Sequence, residues 1–154
     1  MALRNLRYEG DEILRKKSRE VAVVDDKIRT LMDDMVETMY ENEGVGLAAV
    51  QVGILKRIVV IDVEDGKVYK MVNPKIIKRS GEQTGQEGCL SVPEKKGIVS
   101  RPMNVTVEYT DENGQEIRLD AEGVLARCIC HEVDHLDGVL FTDRVNFTDK
   151  VKRS

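Results

Sequence analysis

The feature that most constrains this chain is an apolar segment that leads directly into a cluster of polar side chains. Residues 123–130 are apolar at nearly every position, and residues 131–135 read His-Glu-Val-Asp-His. The pattern predicts a helix over residues 121–137, with Asp120 as its N-cap and Gly138 as its C-terminal stop. A helix that is apolar on most sides is expected to lie buried between sheet elements. Polar groups carried into such a place need partners.

The polar cluster matches the pattern H-E-x-x-H. On a helix, His131 and His135 lie four residues apart on one face, so both imidazoles can reach one metal ion. Glu132 follows the first histidine, where its carboxylate can touch a metal-bound water without binding the ion itself. The chain contains two histidines in all, and both lie in this pattern. The alternative is two polar helix residues that match a short pattern by coincidence, and their position beside an apolar helix weighs against it.

The usual protease arrangements of this motif do not supply a third ligand here. A hydrolytic ion needs three protein ligands and one open position. One protease class adds a histidine six residues after the second, where this chain has Phe141. Another class uses a downstream glutamate, but no glutamate follows Glu132. The third ligand is therefore expected upstream.

The three cysteines are the upstream candidates, and their odd number argues against a disulfide framework. Cys128 is seven residues from His135, a rise of roughly 10 Å along a helix, which is too far for a shared ion. Cys130 is rotated about 100° from His131. Cys89 lies outside the helix and has neither limit. We expect Cys128 and Cys130 to be buried, inert thiols. The same role is the alternative to metal binding for Cys89.

The rest of the chain predicts one further helix and several strands. Residues 25–42 have apolar side chains at helical spacing. Residues 57–63 and 68–77 are β-like, and residues 105–109 and 116–119 are predicted to form a hairpin. A chain of 154 residues is long enough for one domain with its own core.

Composition and charge exclude several classes of function. The net charge is −4 and aromatic residues make up 4%, and without a basic stripe specific nucleic-acid binding is disfavoured. No apolar run approaches the roughly 20 residues that a membrane helix needs. The amino-terminal residues lack the features of a secretory signal or an organellar transit peptide. We therefore expect a cytoplasmic protein without a membrane segment.

Three segments together resemble the peptide deformylase family. Residues 44–51 (GVGLAAVQ) are similar to its G-x-G-L-A-A-x-Q, residues 87–91 are its E-G-C-L-S, and residues 131–135 are its H-E-x-D-H. The resemblance covers most of the chain from residue 44 to 141. It implies an α+β fold in which antiparallel or mixed sheets pack around the metal-binding helix. It also implies one catalytic domain over residues 1–154.

The resemblance implies a bacterial hydrolase that removes the formyl group from the formyl-methionine of newly synthesised proteins and releases formate. Its substrates are N-formyl-methionyl nascent peptides. It implies one Fe²⁺ per chain, with Zn²⁺, Ni²⁺ or Co²⁺ as substitutes, whereas one thiolate and two imidazoles alone would indicate zinc. Thirteen residues follow Phe141, which makes ribosome binding through a long C-terminal helix doubtful.

Individual roles follow from the matched motifs. We expect Cys89, His131 and His135 to hold the ion and Glu132 to move protons. The resemblance assigns the oxyanion donors to the Gln51 side-chain amide and the Leu90 backbone N–H. We expect Gly44, Gly46, Val45, Val124 and Cys128 to contact the substrate. For Val45, Val124 and Cys128, core packing is the alternative.

Two features and two competing functions remain open. Arg127 interrupts the apolar helix without an assigned role. Glu87 and Arg101 form either an ion pair that steadies the cysteine loop or a solvent-exposed pair. The competing functions are a zinc peptidase of unfamiliar layout and a non-enzymatic module in which protein fills all four positions around a structural metal.

Overall fold

The structure is a computed structural model that describes residues 2–145 and 152–153. Its α-helices are α1 (Asp26–Glu41) and α2 (Gly123–Leu136), and short 3-10 helices lie at Glu12–Arg15, Ala49–Val52 and Phe141–Arg144. Its strands are β1 (Gly46–Ala48), β2 (Ile58–Ile61), β3 (Tyr69–Ser80), β4 (Gln83–Cys89), β5 (Val92–Arg101), β6 (Asn104–Thr110), β7 (Glu116–Glu122) and β8 (Lys152–Arg153).

The strands form two antiparallel sheets. The larger has the order β1-β2-β3-β6-β7, and the smaller has the order β4-β5-β8. Helix α2 packs against strands of the larger sheet, while its histidines meet the end of β4 in the smaller one. This arrangement confirms the predicted α+β fold with antiparallel sheets around a central helix. Among the described helices, none is both long and apolar enough to cross a membrane.

Helix α1 confirms the helix predicted over residues 25–42. Asp25 is its N-cap, and its carboxylate accepts a hydrogen bond from the Ile28 backbone N–H at 3.0 Å. The apolar side chains repeat every three or four residues and bury against β1 and β2. Tyr40, which belongs to the same predicted apolar pattern over residues 25–42, is instead exposed, and its hydroxyl donates to Asp62.

Helix α2 begins later than predicted. Residues 120–122 continue β7 and pair with β6, so Asp120 is not the N-cap, and Glu122 takes that position. Gly123 has a φ of +63°, which lets the chain turn from strand to helix without a loop. The predicted stop is confirmed, because the helix ends at Leu136 and Gly138 adopts a φ of +76°.

The hairpin of β4 and β5 was not predicted as strands. Its sequence is polar and rich in glycine, which are the residues least typical of strands. The two strands instead pair through antiparallel backbone hydrogen bonds along most of their length, with a register shift between Glu87 and Cys89. The hairpin matters for function because it carries Cys89 to the side of α2.

Gly138 is expected to be the most sensitive glycine for stability. A Cβ there would lie 2.5 Å from the Arg15 carbonyl oxygen, in a left-handed backbone conformation. We expect Gly138→Ala to lower the free energy of unfolding by about 2–4 kcal/mol, measured by urea denaturation at fixed metal loading.

The matched control for this substitution is Gly114→Ala. Gly114 has a φ of +78°, but a Cβ added there would meet no heavy atom within 4 Å. We expect it to cost about 1 kcal/mol, from backbone strain alone. Equal losses at the two positions would show that the contact with Arg15 contributes nothing.

Candidate metal centre

The structure brings the three predicted ligands together. Cys89 is the last residue of β4, and His131 and His135 lie one turn apart on α2. The Cys89 Sγ lies 3.3 Å from His135 Nε2, and the two histidine Nε2 atoms are also 3.3 Å apart. The three ligand atoms all lie within 4.8 Å of one another.

The geometry of these atoms fits a divalent ion. A tetrahedral ion with metal–nitrogen bonds of about 2.0–2.1 Å separates two nitrogens by about 3.3 Å. Both histidines are buried, while Cys89 is partly exposed on the side of the cavity. Burial lowers the pKa of His135 well below its usual value and keeps this imidazole neutral, the form that binds metal. Three donors leave one tetrahedral position free.

The turn between β4 and β5 fixes the sulfur of Cys89. The Ser91 backbone N–H donates to Cys89 Sγ at 3.4 Å. Gln51 Nε2 also lies within hydrogen-bonding distance of this sulfur, at 3.5 Å. The Ser91 carbonyl in turn accepts from the Glu9 backbone N–H at 2.8 Å. The sulfur is therefore oriented by Ser91 and Gln51, and the Ser91 backbone is in turn bound by Glu9.

Glu87 orients one of the histidines, a role that the sequence did not reveal. Its Oε1 lies 3.0 Å from His131 Nδ1, so the carboxylate can accept the Nδ1 proton and leave Nε2 free for a metal. The Glu87–Arg101 pair is bidentate, at 2.9 and 3.0 Å, and both side chains are 4% exposed. The solvent-exposed alternative for this pair is therefore wrong.

The carboxylate of Glu87 stays ionised although it is buried. Burial raises its pKa, but hydrogen bonds with His131 and Arg101 outweigh that effect and hold the pKa well below its usual range. Arg127 adds a further hydrogen bond to Oε2, at 2.6 Å. Asp134 accepts from the other side of Arg101, at 2.6 Å. This network ties β4 and β5 to α2 around the candidate ligands.

Glu132 lies beside the candidate ligands with its carboxylate buried. The side chain packs against Gly46, where a Cβ would approach Glu132 Oε2 to 2.5 Å. The Oε1 atom has no hydrogen-bond partner among the described residues. Burial raises the pKa of Glu132 to about 7. Gly46 therefore makes room for this carboxylate, whereas the sequence had suggested room for substrate.

Gln51 and Leu90 flank the sulfur of Cys89. The side chain of Gln51 is buried, and its Oε1 accepts from the Ala48 backbone N–H at 2.9 Å. This bond fixes the amide so that Nε2 donates to Ser91 Oγ at 3.0 Å and faces the sulfur. Leu90 follows Cys89 directly, and its Cδ1 would lie 2.6 Å from a Cβ on Gly44.

A cavity of about 850 Å³ opens onto this cluster. All five residues predicted to contact substrate line it, and so do Arg127 and all the predicted catalytic and metal-binding residues except the fully buried His135. Val45 and Val124 are 50% and 63% exposed. Core packing, the alternative considered for these two valines, is therefore wrong, and they form the rim of the cavity.

Comparisons with known proteins agree with the motifs. The family model for polypeptide deformylase matches residues 3–151. The peptide deformylase of Finegoldia magna is 62% identical over 148 residues, which cover 94% of this chain and 91% of that protein. That of Agathobacter rectalis is 60% identical over 145 residues, covering 94% of this chain and 91% of that protein.

Solved structures show the same fold. The peptide deformylase from Thermotoga maritima superimposes with a TM-score of 0.92 at 38% identity, covering 95% of this chain and 99% of that one. The peptide deformylase from Synechococcus elongatus in complex with actinonin gives a TM-score of 0.90 at 49% identity, covering 93% of this chain and 79% of that one. Family model, relatives and fold agree along nearly the whole chain, which therefore belongs to the peptide deformylase family.

Proposed function

We propose that this protein removes the formyl group from the N-terminal formyl-methionine of newly synthesised proteins and releases formate. Membership of the peptide deformylase family supports this activity. The observation that carries the proposal is the convergence of one sulfur and two imidazole nitrogens within 4.8 Å of one another beside a buried carboxylate.

In this proposal Cys89, His131 and His135 hold one divalent ion. We assign Fe²⁺ from the family resemblance, with Zn²⁺, Ni²⁺ or Co²⁺ as substitutes. When bound, such an ion polarises a carbonyl oxygen and lowers the pKa of water towards neutrality. Glu87 supports the arrangement by accepting from His131 Nδ1, which fixes the ring and keeps Nε2 available.

Glu132 transfers the protons of the reaction. Its carboxylate accepts a proton from the attacking water and then donates that proton to the amine that leaves when the formamide C–N bond breaks. The unpaired Oε1 supports this role, because no described residue competes for it. Gly46 leaves room for the other carboxylate oxygen, since a Cβ at this position would lie 2.5 Å from Oε2.

Gln51 and Leu90 stabilise the charge that develops on the formyl oxygen. The Gln51 Nε2 contact with sulfur, at 3.5 Å, is the longest of its hydrogen bonds, and we propose that the formyl oxygen replaces it. The Leu90 backbone N–H is the second donor. Loss of one such donor typically costs on the order of 3 kcal/mol of transition-state stabilisation.

The peptide lies in the cavity that opens onto the cluster. Val45 and Val124 at the rim and Cys128 in the wall contact the methionine side chain, and Gly44 lets the peptide backbone approach, while Gly46 lines the same cavity and makes room for Glu132. We further propose that residues 1–154 act as one catalytic domain, in the cytoplasm, on nascent peptides. Ribosome binding is not part of the proposal, and residues 146–151 lie outside the part of the chain that the structure describes.

The direct test is formate release under anaerobic conditions from a formyl-methionyl tripeptide, paired with metal analysis. We expect one formate for each new free amine, loss of activity on chelation, and recovery with Fe²⁺. The acetylated tripeptide is the control and should react far more slowly. Cleavage of internal peptide bonds would contradict the proposal. So would a metal ion bound by four protein ligands in a protein that shows no hydrolysis.

Gly46→Ala is expected to impair catalysis without loss of metal. The added Cβ would force the Glu132 carboxylate to move, since the two atoms would otherwise be 2.5 Å apart. Misplacement of a reacting group by about 1 Å can cost about 100-fold in rate. We expect a fall in kcat of that order, measured by formate release.

Gly44→Ala provides the comparison for this prediction. Its Cβ would meet the flexible end of Leu90 at 2.6 Å, which a side-chain rotation relieves. We therefore expect a much smaller change in kcat. Equal losses of kcat in the two alanine variants would show that displacement of Glu132 does not explain the effect of Gly46→Ala.

A further inference from the structure

Phe141 stands six residues after His135, where one class of protease with the same motif has its third histidine. Its side chain is buried, and its ring stacks against the ring of His131. The two ring centroids lie 6.1 Å apart and the ring planes are inclined by 22°, which is within the range of offset-stacked aromatic pairs. The position that carries a ligand in that protease class therefore carries, in this chain, a ring that packs against a ligand.

The chain reaches this place because it reverses direction after α2. Gly138 has a φ of +76°, and the 3-10 helix that begins at Phe141 follows. Val145 then forms an antiparallel bridge with Val99 of β5. Gly97 leaves room for this bridge, since a Cβ there would lie 2.6 Å from Val145 Cγ2. Residues 139–145, which we call the return segment, are thereby fixed against β5.

Two ion pairs anchor the return segment close to Phe141. The Nη1 and Nη2 atoms of Arg15 donate to Asp143 at 2.5 and 3.2 Å. The Nε and Nη2 atoms of Arg144 donate to Asp134 of α2 at 2.5 and 3.0 Å. The segment that carries Phe141 is therefore tied to the amino-terminal part of the chain and to the helix that carries both histidines.

The stacked ring restrains a motion of His131 that its hydrogen bond restrains only weakly. Nδ1 of His131 lies 3.0 Å from Glu87 Oε1, and this bond fixes one edge of the imidazole. A bond at one edge leaves the ring plane able to tilt, whereas contact with a ring face opposes the tilt. His131 Nε2 lies 3.3 Å from His135 Nε2, so a tilt would displace the ligand atom.

We propose that Phe141 is a positioning residue of the metal centre, which holds the plane of the His131 ring so that Nε2 stays directed at the ion. This inference rests on the metal centre of the proposed function and deepens it. Phe141 is not among the described residues that line the cavity, so it acts through His131 and not on the substrate. A ligand that is held in place before the ion binds loses less freedom on binding, and the ion leaves more slowly.

The experiment compares zinc release from wild-type protein and from Phe141→Leu. Leucine keeps an apolar side chain at this position but removes the ring. The measured quantity is the rate at which zinc passes from loaded protein to an excess of a chromogenic chelator. We expect release to be about fivefold faster in the variant, because an aromatic pair is typically worth about 2–10-fold in an equilibrium constant. A rate within twofold of the wild-type value would overturn the proposal.

The KM for a formyl-methionyl tripeptide, measured at saturating zinc, separates positioning of the ligand from substrate binding. We expect it to stay within twofold of the wild-type value, because Phe141 acts on His131. Faster zinc release with an unchanged KM supports the proposal. Unchanged zinc release overturns it at any value of KM.

The matched control for loss of core packing is Val107→Ala. Val107 is fully buried on β6 in the same apolar core as Phe141. This variant should lower the free energy of unfolding in urea but release zinc at close to the wild-type rate. If it speeds zinc release as much as Phe141→Leu does, the effect follows from general loss of stability and the proposal is wrong.

Arg144→Met decides the question if Phe141→Leu does not fold. Arg144 is 47% exposed, so its loss leaves the core intact but releases the return segment from Asp134. We expect zinc release to be at least twofold faster. The control is Arg29→Met, which removes an exposed ion pair of similar length from α1, 2.8 Å from Asp26. Equal release rates in these two variants would overturn the proposal.

The outcome also distinguishes this inference from the proposed function, because zinc release is measured without substrate. If the wild-type protein binds zinc but releases no formate from a formyl-methionyl peptide, the assigned reaction is wrong and the zinc rates still decide the role of Phe141. If formate is released but Phe141→Leu retains zinc as the wild type does, only the role of Phe141 is wrong.

Discussion

Glu132→Ala is expected to lower kcat by about 10²–10⁴-fold while the protein keeps its metal. The reason is that this carboxylate lies beside the candidate ligands and lines the cavity, whereas the nearby carboxylate of Glu87 is already occupied by Arg101 and His131. The Glu132 carboxylate is buried against Gly46, and its Oε1 has no partner among the described residues. The measurements are formate release at saturating substrate and metal content by mass spectrometry.

The control for this variant is Glu122→Gln, which removes an exposed carboxylate at the N-cap of the same helix. It should leave both kcat and metal content close to the wild-type values. Activity of Glu132→Ala within tenfold of the wild type would remove proton transfer from the role of Glu132. Loss of metal would instead make Glu132 part of the ion's binding site.

Cys89→Ala is expected to weaken metal binding by at least about 100-fold. Removal of groups that only support a ligand typically costs 10–100-fold in metal affinity, and a ligand itself should cost no less. Without the sulfur, which lies 3.3 Å from His135 Nε2, two imidazoles remain to hold the ion. Competition with a chromogenic chelator measures the affinity, and formate release without added metal should fall in parallel.

Cys128→Ala is the matched control, because it removes a thiol that lines the same cavity. Burial raises the pKa of Cys128 to about 12, so its thiol stays protonated and is a poor ligand. Its metal affinity should stay close to that of the wild type. If Cys128→Ala loses metal and Cys89→Ala does not, the ligand set is wrong.

The parts of the site that depend on local geometry were predictable from the sequence. The four-residue spacing of His131 and His135 fixes their shared face on any helix. Helix geometry also disfavours Cys128 and Cys130 as ligands, which leaves Cys89. Helix α1 was predictable for the same reason, since its cap at Asp25 and its apolar face are local features.

The parts that depend on tertiary pairing were not predictable. Glu87 and His131 are 44 residues apart, and no local pattern indicates their hydrogen bond. The β4–β5 hairpin is stabilised by strand pairing despite a sequence that is unfavourable for strands. The start of α2 shifted because pairing with β6 extends β7 over residues 120–122, beyond its apolar pattern. Tertiary context overrides local propensity at each of these places.

The central claim is that one thiolate and two imidazoles bind a single ion and leave one position for water or substrate. X-ray absorption spectroscopy of the zinc-loaded protein measures this ligand set directly. We expect one sulfur at about 2.3 Å and two imidazole nitrogens at about 2.0–2.1 Å, with one further light scatterer. A spectrum without sulfur, or with two sulfurs, would contradict the assignment of Cys89, His131 and His135.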